Sequence, residues 1–260
     1  MSQRPASNRH ALNRRVVVTG MGIVSPIGND LASSWDSIVN GRSGIGPITH
    51  FDASTFTTRI AGEVRDFDVT RWVSPKDAKK MEEFIHYGVA ASLMALQDAG
   101  LEINESNAER VGALIGSGIG GLLGIEEQTI KAHEGGSRKI SPFYVPSTII
   151  NMLPGQVSLL TGAKGPNFSA VSACATSNHS IGMAMRMIQY GDADVMVAGG
   201  AERGSSPSTK PSRSLSHGRE ACVGSSLRVD IAFIEQKPPI DVGVDPRSAP
   251  PAIMMSASPC

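Results

Sequence analysis

The chain has 260 residues, a length that accommodates one large domain or two small ones. Its 24 Lys and Arg balance its 24 Asp and Glu, so no basic excess indicates nucleic-acid binding. Hydrophobic residues make up 40% of the sequence, which excludes a wholly disordered or collagen-like chain. Proline is unevenly distributed, because eight of the 16 prolines fall within residues 204–260.

The cysteine content and the N-terminus bear on the compartment. Cys174, Cys222 and Cys260 are too few and too dispersed for a disulfide framework, and none has metal-ligand spacing. No apolar run approaches the length needed to cross a bilayer. Residues 1–14 are rich in arginine but lack the apolar stretch of a signal peptide, so they are predicted to be a disordered extension. These features predict a cytoplasmic protein with no metal.

Predicted strands and helices alternate along most of the chain. Short apolar or β-branched runs predict buried strands at residues 15–20, 111–115, 167–172 and 194–198. Apolar residues at helical spacing predict helices at residues 30–39, 79–99, 125–133, 146–160 and 177–190. Leu31, Trp35 and Ile38 share one face of the first helix, and Pro154 is expected to break the fourth. The alternation is typical of an α/β fold with a largely parallel sheet.

The alternating pattern ends near Arg203, and the composition then changes. Residues 204–260 hold 11 serines and eight prolines, and only Leu227–Ile234 has the pattern of a strand. We predict a folded domain at residues 15–206 followed by an irregular tail at residues 207–260. A frameshift after codon 206 would explain the abrupt change. Translation of the DNA in the other two forward frames tests this hypothesis, which fails if neither frame continues the α/β pattern.

A glycine-rich turn follows the second strand. Residues Gly116–Gly121 satisfy the G-x-G-x-x-G pattern of dinucleotide sites, which also requires an acid at the end of the next strand, about 20 residues on. The segment Ala132–Arg138 at that distance instead has the composition of a loop. Because glycines more often serve turns or close packing, a nicotinamide-dependent oxidoreductase is the less favoured alternative. Titration with a nicotinamide cofactor would distinguish it.

Cys174 lies where a predicted strand ends and a helix begins, within the segment Val171–Gly182. The N–H groups and positive dipole end of that helix can stabilise a thiolate and hold an oxyanion. Ala173 and Ala175 leave room for a substrate beside the sulfur. From spacing alone, a small buried cysteine remains an equal alternative to a nucleophile. His179 follows more than one helical turn later and, like His86, is interpreted as structural.

These motifs resemble the β-ketoacyl-acyl-carrier-protein synthases, the condensing enzymes of fatty-acid synthesis. The resemblance rests on the cysteine segment and on RRVVVTGMGIVSPIG, GSGIGG, ISPFYVPSTIINM and GDADVMVAGGAE. It covers about residues 14–206 and is greatest for the elongating type II enzymes of bacteria. It implies the N-terminal half of the layered αβαβα thiolase-like fold. A silent chain-length-factor relative would have replaced the cysteine, whereas Cys174 is retained here.

The resemblance also implies roles for particular residues. Cys174 would accept an acyl group from an acyl carrier protein as a thioester, and its backbone N–H would be one oxyanion donor. Ile119 matches a residue lining the acyl pocket, and Tyr144 matches an aromatic position that reaches the other subunit of a homodimer. The lysines that match a patch docking the acidic carrier protein are Lys76, Lys79 and Lys80. A solvated helix start is the alternative for these lysines. No cofactor is implied.

The second half-reaction of the family is decarboxylative condensation with malonyl-carrier protein, and it uses two histidines and a lysine from the C-terminal half. The resemblance fades after residues 204–207, and no motif for these three residues is found; His217 matches none. Two hypotheses therefore remain open. The chain is either a condensing enzyme or a catalytically inactive chain that is truncated or serves only in interactions. An assay of condensation between acyl- and malonyl-carrier protein distinguishes them.

Overall fold

The computed structural model describes residues 14–56 and 58–204, together with the backbone of residues 229–236. Five strands form the main sheet: β1 (Val16–Val24), β4 (Val111–Gly116), β5 (Asn167–Phe168), β6 (Val195–Gly200) and β7 (Val229–Gln236). Their order across the sheet is β1-β7-β6-β4-β5. Two short strands, β2 (Ile45–Pro47) and β3 (Ile60–Gly62), form a separate antiparallel pair.

The α-helices of the described residues are α1 (Leu31–Val39), α2 (Pro75–Ala78), α3 (Glu83–Asp98), α4 (Leu122–Gly135), α5 (Tyr144–Thr148), α6 (Met152–Thr161) and α7 (Thr176–Tyr190). Of these helices, α1, α3, α6 and α7 contact strands of the main sheet. Among the described helices, none is both long and apolar enough to cross a membrane.

The strand directions bring the carboxyl ends of three strands to one edge of the sheet. β4 pairs in parallel with both β5 and β6, whereas β7 runs antiparallel to β1 and β6. All residues of β4 and β6 are buried, as expected for parallel strands with helices on both faces. The carboxyl ends of β4, β5 and β6 therefore meet at the same edge.

The hydrophobic core lies in two parts, one on each face of the sheet. On one face, α3 and α6 contribute to a cluster that includes Phe84, Ile85, Val89, Leu153 and Val157. On the other face, α7 packs on the sheet through Ala184 and Ile188, against Leu114, Met196 and Ala198. The described residues thus form helix, sheet and helix layers, which is the α/β arrangement that the alternating sequence predicts.

Two predicted helices have boundaries that the sequence pattern does not indicate. The helix predicted at residues 79–99 begins only at Glu83, as α3, because residues 79–82 separate it from α2; Met81 in this connection is still buried. The helix predicted at residues 146–160 breaks between Thr148 and Met152, not at Pro154. Pro154 is the third residue of α6, where a missing N–H removes no intrahelical hydrogen bond.

The apolar face of α1 is directed away from the core. Trp35, which the spacing groups with Leu31 and Ile38, is 63% exposed. Serines are the buried residues of this helix: Ser37 Oγ donates to the Ile27 carbonyl at 2.7 Å, and Ser34 is buried as well. Helical spacing shows which residues share a face but not whether the chain covers that face.

Part of the predicted tail belongs to the sheet. The strand pattern at Leu227–Ile234 corresponds to β7, which lies between β1 and β6. The other residues predicted to form the irregular tail, and residues 1–13 of the predicted extension, lie outside the described residues.

Candidate active site

Three chain segments meet at the carboxyl edge of the parallel strands. β4 leads into the glycine-rich turn of residues 116–121, β5 leads towards Cys174, and β6 ends just before Glu202. Loops that follow the carboxyl ends of neighbouring parallel strands converge, and open α/β sheets commonly bind ligands there. This edge is therefore the place in the fold where a functional site is expected.

Cys174 lies in a tight, strained turn. Residues Ala173–Ala175 form a single 3-10 turn that leads directly into α7, and the cysteine side chain is exposed. Ala173 has φ of +49°, in the left-handed region that costs a residue with a Cβ about 1–2 kcal/mol. Such strain persists only where the surrounding structure imposes it, and it concentrates at functional sites. The turn presents the sulfur to solvent at the N-terminal end of α7.

Side chains on α7 fix this turn. The buried Thr176 hydroxyl accepts the Ser172 N–H at 2.9 Å and donates to the Ala173 carbonyl at 2.8 Å. His179 Nδ1 and Ser172 Oγ share a hydrogen bond of 2.6 Å. His179 thus contacts the side chain of a residue two places before the cysteine, and its interpretation as a structural residue stays a prediction.

The glycine-rich turn is organised by a carboxylate from the end of β6. One oxygen of Glu202 accepts the N–H groups of Gly118 at 2.6 Å and Ile119 at 3.2 Å. The other oxygen accepts the Ser117 hydroxyl at 3.1 Å. Burial raises the pKa of the Glu202 carboxyl, and these donated hydrogen bonds oppose the rise.

This arrangement bears on the nicotinamide alternative. In dinucleotide sites, the N–H groups of a glycine-rich turn bind the pyrophosphate. Here the N–H groups of Gly118 and Ile119 bind the chain's own carboxylate, Glu202, at the same kind of position. A phosphate would have to displace that carboxylate or approach its negative charge. The segment Ala132–Arg138 is the end of α4 and a 3-10 turn, not a strand end, as the sequence predicts.

Comparison with known families decides the classification. Residues 13–218 match the family model described as "Beta-ketoacyl synthase, N-terminal domain". The chain belongs to the β-ketoacyl synthase family. Its relatives include the 3-oxoacyl-[acyl-carrier-protein] synthase 2 of Vibrio harveyi, 58% identical over 194 residues, which are 75% of this chain and 47% of that protein. The enzyme of the same name from Staphylococcus aureus strain COL is 45% identical over 190 residues, 73% of this chain and 46% of that protein. The chain spans about half the length of the curated relatives it matches.

Solved structures confirm the thiolase-like α/β fold class of this β-ketoacyl synthase domain. A ketosynthase of a type II polyketide synthase, solved with its acyl-carrier protein, has a TM-score of 0.69 and 27% identity, over 86% of this chain and 63% of that one. A β-ketoacyl synthase from Burkholderia phymatum has a TM-score of 0.70 and 25% identity, over 86% and 59% of the two chains.

The two residues predicted to line the acyl pocket of this β-ketoacyl synthase domain lie on different segments. Ile119 is in the glycine-rich turn, with 49% of its surface exposed and its N–H bound to Glu202. Tyr144 is half-buried and begins α5. Gly121 N–H donates to the carbonyl of Thr148 at the end of α5, at 2.9 Å. This bond joins the two segments, while the pocket roles stay predictions.

The three predicted docking lysines have unlike surroundings. Lys76 lies on α2, Lys79 directly follows it, and both are exposed. Lys80 is bound to Asp77 at 2.6 Å, and its Nζ lies 5.9 Å from the centroid of the Phe143 ring. Lys80 therefore connects the lysine segment to the residue before α5, and Lys76 and Lys79 are the more accessible cations.

Sequence reasoning missed two residues that organise the site. Thr176 is the first residue of α7 and has no motif of its own. Glu202 belongs to a segment that indicated only the family resemblance. The sequence did carry a signal for Glu202, which is an acidic residue just after a predicted buried strand that ends in two glycines. Residues that follow a parallel strand lie at the carboxyl edge of the sheet.

Proposed function

We propose that this chain catalyses acyl transfer from an acyl carrier protein to Cys174, the first half-reaction of a 3-oxoacyl-acyl-carrier-protein synthase of fatty-acid biosynthesis. The observation that carries the proposal is the exposed Cys174 in a strained turn at the start of α7, at the carboxyl edge of the sheet. The names and the 45–58% identity of the bacterial relatives support the substrate class.

The chemistry proposed for Cys174 is thioester exchange. The thiolate attacks the acyl carbonyl carbon, the bond between that carbon and the carrier's sulfur breaks, and the carrier thiol leaves after taking up a proton. N–H groups near the start of α7, including that of Cys174, would stabilise the negative oxygen that forms on the attacked carbonyl. The strained Ala173 directly precedes Cys174 and supports a conformation of this turn that the surrounding structure imposes.

Condensation completes the reaction of the full-length relatives. Malonyl-carrier protein loses carbon dioxide, the resulting carbanion attacks the thioester, and the cysteine is released. The sequence contains no recognisable motif for the two histidines and the lysine of this step. An inactive or interaction-only chain is therefore the second candidate, and an acyl-loaded chain that does not condense is the intermediate case.

The proposed partners are the carrier protein and a second copy of this chain. Exposed Lys76 and Lys79 support docking of an acidic carrier by electrostatic attraction, and a related ketosynthase is solved with its carrier. Self-association is supported by β5, which is at the edge of the sheet among the described strands, and by a groove of about 590 Å³ beside it. The groove runs along α7 and includes Val171, Met183 and Tyr190. We place this activity in the cytoplasm, in keeping with the sparse cysteines.

The test combines loading and condensation in one experiment. The chain is incubated with carrier protein bearing a saturated acyl group, and its intact mass is recorded before and after malonyl-carrier protein is added. We expect a gain of one acyl group, located on Cys174 by peptide mapping because Cys222 and Cys260 are also present. Light scattering of the same sample distinguishes one chain from two.

Each outcome has a distinct meaning. Loading followed by release of a 3-oxoacyl product supports the complete synthase reaction. Loading without product supports the acyl-transfer half alone. Absence of an acyl adduct on Cys174 from a folded chain contradicts the proposal and favours the interaction-only candidate.

A further inference from the structure

The Glu202 carboxylate accepts three hydrogen bonds from the glycine-rich turn. It accepts from Gly118 N–H at 2.6 Å, from Ile119 N–H at 3.2 Å and from the Ser117 hydroxyl at 3.1 Å. The Ser117 oxygen in turn accepts the Gly120 N–H at 2.9 Å. Because Glu202 is 84 residues away from Gly118 in sequence, these bonds fasten the turn to the end of β6.

The same turn lies against the backbone beside the cysteine. A Cβ placed on Gly118 would lie 3.0 Å from a Glu202 carboxylate oxygen and 3.3 Å from Ala173 Cα. Gly118 of the turn thus lies close both to the carboxylate and to the residue before Cys174. Ala173 is also the residue with the left-handed conformation. A shift of the turn would remove packing from the strained residue that directs the cysteine.

The end of β6 is itself held in place. Arg203, the residue after Glu202, forms an ion pair with Glu83 at the start of α3, and the Arg203 side chain is only 13% exposed. The carboxylate therefore projects from a backbone segment that is fixed by the core helix as well as by the sheet. A rigid support of this kind is what a positioning group requires, since small displacements strongly reduce reaction rates.

We propose that Glu202 is a positioning residue for acyl transfer: its carboxylate holds residues 117–120 against Ala173, and so fixes both the Cys174 turn and Ile119. The effect of Glu202 on acyl transfer rests on the proposed function. The effect of Glu202 on the conformation of the Cys174 turn is independent of that function. The hydrogen bonds that Glu202 accepts from Ser117, Gly118 and Ile119 all come from the glycine-rich turn, so the proposed action is through that turn.

The test compares three variants. Glu202→Ala removes every acceptor, whereas Glu202→Gln keeps an oxygen for Gly118 and Ile119 and offers an amide donor to the Ser117 oxygen. The matched control is Asp194→Asn at the opposite end of β6, where Asp194 is bound to Arg110 at 2.7 Å. This control weakens an ion pair near the same strand without touching the turn.

Two rates are measured for each variant: acyl loading of Cys174 with short and long acyl chains, and alkylation of Cys174 by iodoacetamide. We expect Glu202→Ala to lower the loading rate by roughly tenfold or more, because the cysteine turn is displaced. The dependence of this loading rate on acyl-chain length should also change, because Ile119 is on the turn that the substitution releases. Glu202→Gln should recover part of both properties, and Asp194→Asn should resemble the unmodified chain.

The two rates separate failure of this inference from failure of the proposed function. If the unmodified chain is not loaded, the proposed function fails, but a changed alkylation rate in Glu202→Ala still supports the role in positioning the turn. If Glu202→Ala is loaded and alkylated like the Asp194→Asn control, with the same chain-length dependence, the role of Glu202 is overturned. Melting temperatures of all variants show whether a rate loss follows general destabilisation, which the control would share.

Discussion

Replacement of Cys174 by alanine is expected to abolish acyl loading. The thioester needs the sulfur, and loss of a covalent nucleophile typically reduces turnover by about a thousandfold or more. The side chain is exposed, so the substitution should change stability by no more than about 0.5 kcal/mol. Intact mass after incubation with acyl-carrier protein measures the loss, and circular dichroism checks that the variant is folded.

His179→Gln is the matched control for the cysteine variant. His179 is on the same helix and binds Ser172 at 2.6 Å, but we interpret it as structural. The glutamine should retain most of the loading, whereas a general base would be lost entirely. If Cys174→Ala still gains an acyl group that maps to Cys222 or Cys260, the assignment of the nucleophile is wrong. If His179→Gln is as inactive as Cys174→Ala, the interpretation of the histidine is wrong.

The position of Cys174 could be predicted from the sequence because its signals are local. Small residues and a helical pattern follow one another within the segment Val171–Gly182, and the structure has the turn and α7 there. The buried strand predicted before them at residues 167–172 is wrong in extent, because β5 covers only Asn167–Phe168 and neither residue is buried. The contact between Glu202 and Gly118 joins residues 84 positions apart, and no local pattern encodes that pairing. Only the assembly of β4 beside β6 brings the two segments together.

The fold, too, was predictable only as far as local sequence patterns determine it. Periodicity gave the alternation of strands and helices, and β4 and β6 were recognisable as fully buried apolar runs. It did not show that Trp35 would be exposed, because the covering of a helix face depends on distant segments. Periodicity also did not show which strands would flank β7, since the alternating pattern of a strand does not specify the strands with which it pairs.

Ile231→Pro in β7 is expected to destabilise the whole domain. Ile231 is opposite Gly22 of β1 on one side and opposite Gly199 of β6 on the other. In a strand with neighbours on both sides, each N–H is directed to one of them, so proline removes a ladder hydrogen bond whichever side it faces. Proline in the middle of a sheet is avoided for this reason.

The expected effect is large for a marginally stable domain. We take a cost of about 3 kcal/mol, by analogy with proline in a helix interior, against a total stability of about 5–15 kcal/mol. In a domain of this size, that cost corresponds to a fall in melting temperature of roughly 6–12 °C. Ile231→Val is the control, because it keeps both the backbone N–H and a β-branched side chain. Thermal unfolding followed by circular dichroism measures the difference between the two variants.

Hydrogen exchange shows whether the loss arises in the sheet. β7 is the neighbour that joins β1 to β6, so backbone amides of Val16–Val24 should exchange faster in Ile231→Pro than in Ile231→Val. Amides of β4 lie on the far side of β6 and should keep more of their protection. Equal melting temperatures and equal protection of β1 in the two variants would mean that residues 229–236 add nothing to the sheet. That result would favour the irregular tail predicted from composition. The expected result, a lower melting temperature and faster exchange in β1, makes β7 part of the domain that holds Cys174 and Glu202.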